Sequence, residues 1–233
     1  MDPQPRPRRL LWTAGLLLFT SAAGVGMLLV RASFAGYPYF RFLVWNLFLA
    51  WVPLVIAFVL MALDRRSTGR WLLVPVGVLW LLFLPNAPYI FTDLIHLGRL
   101  PGAPLWFDMV LIGTFAATGL VLGWVSLAVV QGIVSRRVGT GAGWLMATGV
   151  LVLCTVGVYL GRVHRFNSWD ALLDPSSLLE VVGSRLADPW ANPMLVVILG
   201  CSSLALVVGY ALVRAVIGSP TARLQHEPSV LPR

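Results

Sequence analysis

Charge is scarce in this sequence, and lysine is absent from it. Only 11% of the 233 residues are charged, whereas a soluble domain carries roughly 25%. Hydrophobic residues make up 58% of the chain, and the mean hydropathy is +0.85. This composition excludes an ordinary soluble domain. It indicates an integral membrane protein whose main partner is the lipid bilayer.

The basic residues are all arginine, and they give the chain a net charge of +8. In a soluble protein such a charge would favour nucleic acid as a partner. Here the arginines flank long apolar runs, where basic residues set membrane topology. No nucleic-acid partner is therefore predicted.

Cysteine is rare, and the common catalytic motifs are absent. Cys154 and Cys201 each lie inside an apolar run and are interpreted as small core residues, not as a disulfide or a metal-binding pair. The sequence has no glycine-rich phosphate loop, no Gly-x-Ser-x-Gly elbow and no His-Glu-x-x-His motif. Its cofactor, if it has one, is unknown from these patterns.

The sequence contains several long apolar runs. At roughly 20 residues for each spanning helix, they predict an all-α membrane helix bundle with about six transmembrane helices and short amphipathic interfacial helices. The predicted spans are 10–30, 42–63, 71–84, 107–134, 144–161 and 193–217. Residues 10–217 then form a single transmembrane domain, between a disordered N-terminus (1–9) and a flexible C-terminal tail (218–233).

Arginine is distributed unevenly over the two sides of these spans. If the N-terminus lies in the cytoplasm, eleven arginines fall on the inner side and six on the outer side. Because short positive segments stay inside, both termini of a multi-pass cell-membrane protein are predicted to be cytoplasmic. The connections 85–106 and 162–192 and the start of the second span then share the extracytoplasmic face.

The most informative stretch is 80–108, which contains the one Asp-x-x-His pair of the chain. Residues 86–98 are predicted to form a short helix, with Asn86 as the N-cap and Gly98 after the last turn. At 100° per residue the polar side chains share one arc, and the apolar side chains fill the opposite side. The polar arc contains Asn86, Tyr89, Thr92, Asp93 and His96. The apolar side contains Ile90, Phe91, Leu94, Ile95 and Leu97. Too short to cross a bilayer, this helix is predicted to lie at the interface or to re-enter the bundle.

Asp93 and His96 lie three residues apart, so they can form a hydrogen bond or share a ligand. One interpretation makes them an acid and base pair in a catalytic site. The other makes the helix an interfacial element with a solvated face, in which Asp93 only orients His96. A metal site would need a third ligand such as Asp108 or His164, and no metal ligand is assigned.

Other polar residues are expected on the same face. Arg162, Asn167 and Asp170 follow the fifth span and are candidates for binding an anionic group, or else anchors at the membrane edge. Asn46, one turn inside the second span, either bonds a neighbouring helix or lines the same pocket. Asp108 either joins the pocket or is a carboxylate favoured by the dipole at a helix start.

Two further patterns concern helix packing and the outer surface. Gly119 with Gly123, and Gly157 with Gly161, are small-x-x-x-small pairs that allow helices to approach closely. Residues 174–186 are predicted to form a second amphipathic helix on the outer surface.

Four motifs carry a resemblance to a known family. They are Asn46-Leu-Phe-Leu-Ala-Trp51, Leu84-Pro-Asn-Ala-Pro-Tyr-Ile-Phe-Thr-Asp-Leu-Ile-His-Leu97, Trp106-Phe-Asp108, and Tyr159-Leu-Gly-Arg162 with Asn167-Ser-Trp-Asp170. Over about residues 40–210 the chain resembles the bacterial membrane proteins of the domain of unknown function 1361 family. Phe107 stands where Tyr is expected, which weakens any role for a hydroxyl there. The resemblance implies a fold and no particular activity.

The sequence thus predicts a polar pocket on the extracytoplasmic face. Its predicted walls are Asn46, Asn86, Tyr89, Asp93, His96, Asp108, Arg162, Asn167 and Asp170. Ionisable residues at membrane depth are functional candidates by default. The favoured hypothesis is an enzyme acting on a lipid or envelope precursor, with Asp93 and His96 as acid and base and Arg162 holding an anionic group. The alternatives are a small-solute transporter, which no inverted repeat supports, and a structural or partner-binding membrane subunit.

Overall fold

The computed structural model describes residues 7–37, 39–66, 69–98, 102–164 and 193–218, together with Ser176, Glu180 and Gly183. Within them, the α-helices are α1 (Pro7–Ala35), α2 (Phe42–Arg65), α3 (Arg70–Phe83), α4 (Asn86–Tyr89), α5 (Leu105–Val138), α6 (Thr140–Tyr159) and α7 (Pro193–Gly218). A 3₁₀ helix (Ile90–His96) follows α4, and a π-helical segment (Leu160–His164) follows α6. The predicted all-α helix bundle is confirmed. Of the predicted tails, only residues 7–9 and Gly218 are described, and they lie in α1 and α7; the rest of both tails lies outside the described residues.

Among the described residues, six helical stretches are long and apolar enough to cross a membrane, as predicted. They are Trp12–Ala35, Phe42–Arg65, Trp71–His96, Leu105–Val138, Thr140–Val163 and Val196–Ala215. The third differs most from the prediction, because α3, α4 and the 3₁₀ helix follow one another as a single span. The predicted connection 85–106 is therefore shorter, and residues 86–96 belong to the span itself.

The segment after α4 is not the regular α-helix that the sequence predicted. From Ile90 onward it winds as a 3₁₀ helix, in which side chains three residues apart align. Ile90 and Asp93 therefore share one side and are both buried, whereas Phe91 and Ile95 are exposed. The predicted separation of Ile90 from the polar side chains is wrong. Asp93 faces the interior of the bundle, and the exposed apolar side chains face away from it.

Of the two predictions for the ends of that helix, the N-cap at Asn86 is wrong and the position of Gly98 after the last turn is confirmed. Asn86 is not an N-cap, because Leu84 and Pro85 before it already have helical backbone angles. Its Nδ2 donates instead to the carbonyl oxygen of Phe83 at 2.8 Å. Gly98 does follow the last turn, and its φ of +70° lies in the region that glycine adopts without strain.

The central helix of the bundle is α5, which contacts α1, α2, α4, the 3₁₀ helix and α6 and is the most buried of the six spans. Gly119 and Gly123 of α5 allow its close contact with α4. A Cβ added to Gly119 would lie 2.7 Å from the carbonyl oxygen of Ala87, and one added to Gly123 would lie 2.9 Å from Ala87 Cβ. In α6, a Cβ added to Gly157 would lie 2.7 Å from Pro85 Cγ. These three glycines form a glycine seat for the corner between α3 and α4, so the predicted packing role of the small residues is confirmed for them.

Polar side chains also join the helices in the middle of the bundle. Ser126 Oγ donates to the carbonyl oxygen of Pro53 at 2.9 Å and accepts from Trp80 Nε1 at 2.8 Å, which links α5 to α2 and α3. The hydroxyl of Tyr210 donates to Gln131 Oε1 and links α7 to α5. Such bonds are a usual means of holding helices together in lipid, where apolar packing alone gives little preference.

Candidate functional site

Asp93 lies at the centre of a group of polar contacts near one end of the bundle, and its side chain is 1% exposed. Its Oδ2 accepts from Asn46 Nδ2 at 2.8 Å, and its Oδ1 accepts from Arg162 Nη1 at 3.1 Å. One carboxylate therefore joins the 3₁₀ helix to α2 and to the π-helical segment. The guanidinium offsets a negative charge that would be costly to bury alone. We call Asn46, Tyr89, Asp93, His96 and Arg162 the Asp93 cluster.

Arg162 connects the buried part of the Asp93 cluster with the surface. Its Nη1 lies 3.4 Å from the hydroxyl of Tyr89, and its Nη2 donates to the carbonyl oxygen of Thr92 at 3.2 Å. Its side chain is 22% exposed, and its Nε has no hydrogen-bond partner among the described residues. Because a guanidinium carries five donors in a rigid fork, Arg162 can keep its bonds to Asp93 and still bind a further anionic group.

His96 is held in one orientation, with one nitrogen open. Its Nδ1 lies 3.1 Å from the backbone carbonyl oxygen of Asp93, and a carbonyl can only accept, so Nδ1 carries the hydrogen. The ring packs on Phe42, with 5.1 Å between the two centroids. In the neutral ring Nε2 is then the unprotonated nitrogen, and it has no partner within the described part of the chain. The expected contact between Asp93 and His96 thus occurs through the backbone of Asp93.

Asp108 lies in the first turn of α5, as predicted, but it belongs to a second group of contacts. Arg31 Nε and Nη2 donate to its two carboxylate oxygens at 2.6 and 3.0 Å, and both side chains are almost fully buried. The guanidinium also lies over the ring of Phe40, 4.4 Å from its centroid. No hydrogen bond in the described residues links this pair to Asp93. Asp108 is therefore bonded to Arg31 and not to the Asp93 cluster within the described part of the chain.

Arg31 is a residue that the sequence analysis missed. It was assigned to a connection outside the first span, but α1 continues to Ala35 and Arg31 is fully buried within it. The sequence did contain a signal for the true end of the first span. Glycine often marks the end of a helix, and Gly36 follows the last residue of α1 with a φ of +68°. Placing the end of the first span at Gly36 would have put Arg31 inside the bundle and level with the start of α5.

Some predicted site residues cannot be placed from the structure. Asn167, Asp170 and nearly all of the predicted helix 174–186 lie outside the described residues, and for His164 only the backbone is described. No group of three or more side chains that could hold a metal ion occurs in the part of the chain that is described.

The opposite end of the bundle carries a different, more exposed group of charges. Asp64 at the end of α2 accepts from Arg136 at 2.8 Å and from Arg137 at 2.6 Å at the end of α5. These arginines are 42% and 38% exposed. The two ends of the bundle therefore differ: one carries buried polar contacts, and the other carries ion pairs at the surface.

In the part of the chain that the structure describes, six helices are long and apolar enough to span a membrane and polar groups are buried near one end, which indicates a multi-pass membrane protein. The model of one family, described as a protein of unknown function (DUF1361), matches residues 45–208, and the chain belongs to this family. All five residues of the Asp93 cluster lie within the matched region. No curated protein and no solved structure gives a significant match to the chain.

Proposed function

We propose that this protein is a membrane enzyme that acts on a lipid or envelope precursor at the extracytoplasmic face of the cell membrane. The observation that carries the proposal is the state of His96. A ring fixed through Nδ1 and by Phe42, with an open Nε2, is what a general base needs, because its lone pair is aimed before the substrate arrives. Nε2 would take a proton from a hydroxyl or a water molecule and later return it.

Asp93 has a different role in this proposal. Both of its oxygens already accept hydrogen bonds, and its charge is balanced by Arg162. It is therefore a positioning residue, which holds the 3₁₀ helix against α2 and the π-helical segment and offers its backbone carbonyl to His96. This departs from the sequence-based hypothesis, in which Asp93 and His96 were equal partners in catalysis.

Arg162 is the binding residue of the proposed site. It is partly exposed, and Tyr89 lies beside it, with 5.7 Å between the guanidinium carbon and the ring centroid. A phosphate or carboxylate on the substrate would bind its remaining donors. Asn46 would act on the substrate only through Asp93, whereas Asn167 and Asp170 remain candidate ligands from the sequence.

The orientation of the proposed site follows from the distribution of arginine. The Asp93 cluster lies at the ends of the helices where the sequence carries fewer arginines, opposite the end with Asp64, Arg136 and Arg137. By the positive-inside rule the cluster end faces away from the cytoplasm, and both termini face into it.

A gene deletion followed by profiling of membrane lipids and envelope polymers tests the proposal. The deletion is rescued by wild type, by His96→Gln and by Phe91→Leu, a control at an exposed site on the same 3₁₀ helix. We expect an accumulated precursor that wild type and the control remove, and a loss of about 10²–10⁴-fold in rate for His96→Gln. Full rescue by His96→Gln at normal protein levels would show that the site is not catalytic. Accumulation of a soluble solute in place of a precursor would favour the transporter.

A further inference from the structure

A group of charges surrounds Asp64 at the end of the bundle opposite the Asp93 cluster. Arg136 Nη2 donates to Asp64 Oδ2 at 2.8 Å, and Arg137 Nε donates to Asp64 Oδ1 at 2.6 Å. Arg65 and Arg66 follow Asp64 directly in the chain, where α2 ends, and both are exposed. We call Asp64, Arg65, Arg66, Arg136 and Arg137 the Asp64 cluster. It joins the ends of α2 and α5 into one basic surface.

The Asp64 cluster carries more positive charge than its carboxylate can balance, because it contains four arginines and one aspartate. The bonds to Asp64 use one Nη of Arg136 and the Nε of Arg137. A guanidinium has five donors in a fork that matches phosphate, so both arginines can bind a phosphate and keep Asp64. Asp64 thus holds two exposed cations together, and their remaining donors are available to a second anion.

Exposed apolar side chains lie close to these arginines along the chain. Val138 follows Arg137 and is 72% exposed, and Trp71, five residues after Arg66, is 74% exposed. Tryptophan is typical of the head-group level of a membrane. A free anion gains nothing from apolar neighbours, whereas a phospholipid presents a phosphate and a hydrocarbon chain to adjacent surfaces. The surroundings of the Asp64 cluster therefore favour a lipid as the source of the anion.

We propose that the Asp64 cluster binds the phosphate of an anionic phospholipid at the membrane surface. A cluster of four or more basic residues beside a membrane span is typical of anionic-lipid recognition. The bound phosphate bonds arginines from both helix ends and so ties α2 to α5. This proposal goes beyond the proposed function and does not depend on it, because the Asp64 cluster and the Asp93 cluster share no residue.

Native mass spectrometry of the full-length protein in a non-ionic detergent tests this proposal. The protein is titrated with phosphatidylglycerol or with phosphatidylcholine of the same acyl chains, and the bound lipids are counted. We expect phosphatidylglycerol to bind about tenfold more tightly or better, because in phosphatidylcholine the choline cation offsets the phosphate charge. Equal affinities for the two lipids would overturn the proposal.

Two matched substitutions locate the bound lipid. Arg137→Gln and Arg41→Gln each remove one exposed arginine, but Arg41 lies at the other end of α2. Arg137→Gln should weaken phosphatidylglycerol binding by about fivefold, the usual contribution of one arginine near an anionic membrane surface. Arg41→Gln should leave the binding unchanged. Equal losses would overturn the proposal, since the binding would then follow net charge alone.

Two further arms complete the experiment. Arg66→Gln, at an exposed position where α2 ends, repeats the test in case Arg137→Gln misfolds, and it should also weaken the binding. At constant ionic strength, inorganic phosphate should fail to displace phosphatidylglycerol from the wild type. Displacement by inorganic phosphate would show that the Asp64 cluster takes a free anion, and the proposal would be wrong.

Discussion

At the scale of single residues, the buried carboxylates of Asp93 and Asp108 each pair with an arginine, but the two arginines differ in how far they are exposed. Asp108 and Arg31 are both almost fully buried, with 3% and 1% of their side chains exposed. Asp93 is equally buried, but its partner Arg162 is 22% exposed. The first pair therefore holds α1 against α5, whereas the second joins the 3₁₀ helix to an arginine that is partly exposed.

Removal of the charge on Asp108 should destabilise the protein strongly. In Asp108→Asn the guanidinium of Arg31 stays buried without a counter-charge, which costs about 3–5 kcal/mol. The matched control is Asp64→Asn, whose arginine partners are 42% and 38% exposed and whose loss costs about 1 kcal/mol or less. The thermal midpoints of the purified variants in detergent compare the two. Equal midpoints would contradict the structural role of the Arg31–Asp108 pair.

At the scale of elements, the two segments that carry Asp93, His96 and Arg162 depart from α-helical geometry. Asp93 and His96 lie on a 3₁₀ helix, and Arg162 lies on a π-helical segment. Departures of these two kinds are often found at functional positions. The sequence identified polar residues on both segments, but it could not give their geometry, because residues 86–98 were placed at 100° each as in a regular α-helix. The error moved Ile90 to the wrong side of the segment.

The glycine seat lies where α3 passes into α4 in the third span. Pro85 and Pro88 interrupt the backbone hydrogen bonds of the span, and Gly119, Gly123 and Gly157 leave room for the resulting corner. The sequence showed the glycine pairs and the prolines separately. Their contact depends on the relative rotation of three helices, which no local pattern contains.

Substitutions on α5 test the seat. Gly119→Ala would place a Cβ 2.7 Å from the carbonyl oxygen of Ala87, so the corner must move, at a cost of about 1–3 kcal/mol. Gly113→Ala is the matched control on the same helix, because nothing lies within 4 Å of its added Cβ. Thermal denaturation should show a lower midpoint for Gly119→Ala alone. Equal thermal midpoints for the two variants would show that the packing of the α3–α4 corner does not depend on Gly119.

At the scale of the whole molecule, composition was sufficient for the class of fold. Low charge and six apolar runs predicted the six-helix membrane bundle, because a span must satisfy its backbone internally and so must be helical. The long-range pairs were not predictable in the same way. Asn46 with Asp93 and Arg31 with Asp108 are separated by 47 and 77 residues, and they meet only because the helices pack around α5.

Reporter fusions test the proposed orientation of this bundle. A reporter that is active only outside the cytoplasm should be inactive after Arg137 and active after Gly98. The reason is the excess of arginine at the end that contains Arg136 and Arg137. Activity after Arg137 would reverse the topology and would place the Asp93 cluster in the cytoplasm.

The proposed function depends on an unprotonated Nε2 of His96 in a ring that is held in place. The most direct test is ¹⁵N NMR of the protein labelled at histidine, at a pH where imidazole is neutral. The chain has 3 histidines, so the variants His164→Asn and His226→Asn assign the signals. We expect His96 to carry its hydrogen on Nδ1 and to have an unprotonated Nε2. A spectrum in which His96 carries the hydrogen on Nε2 would contradict it.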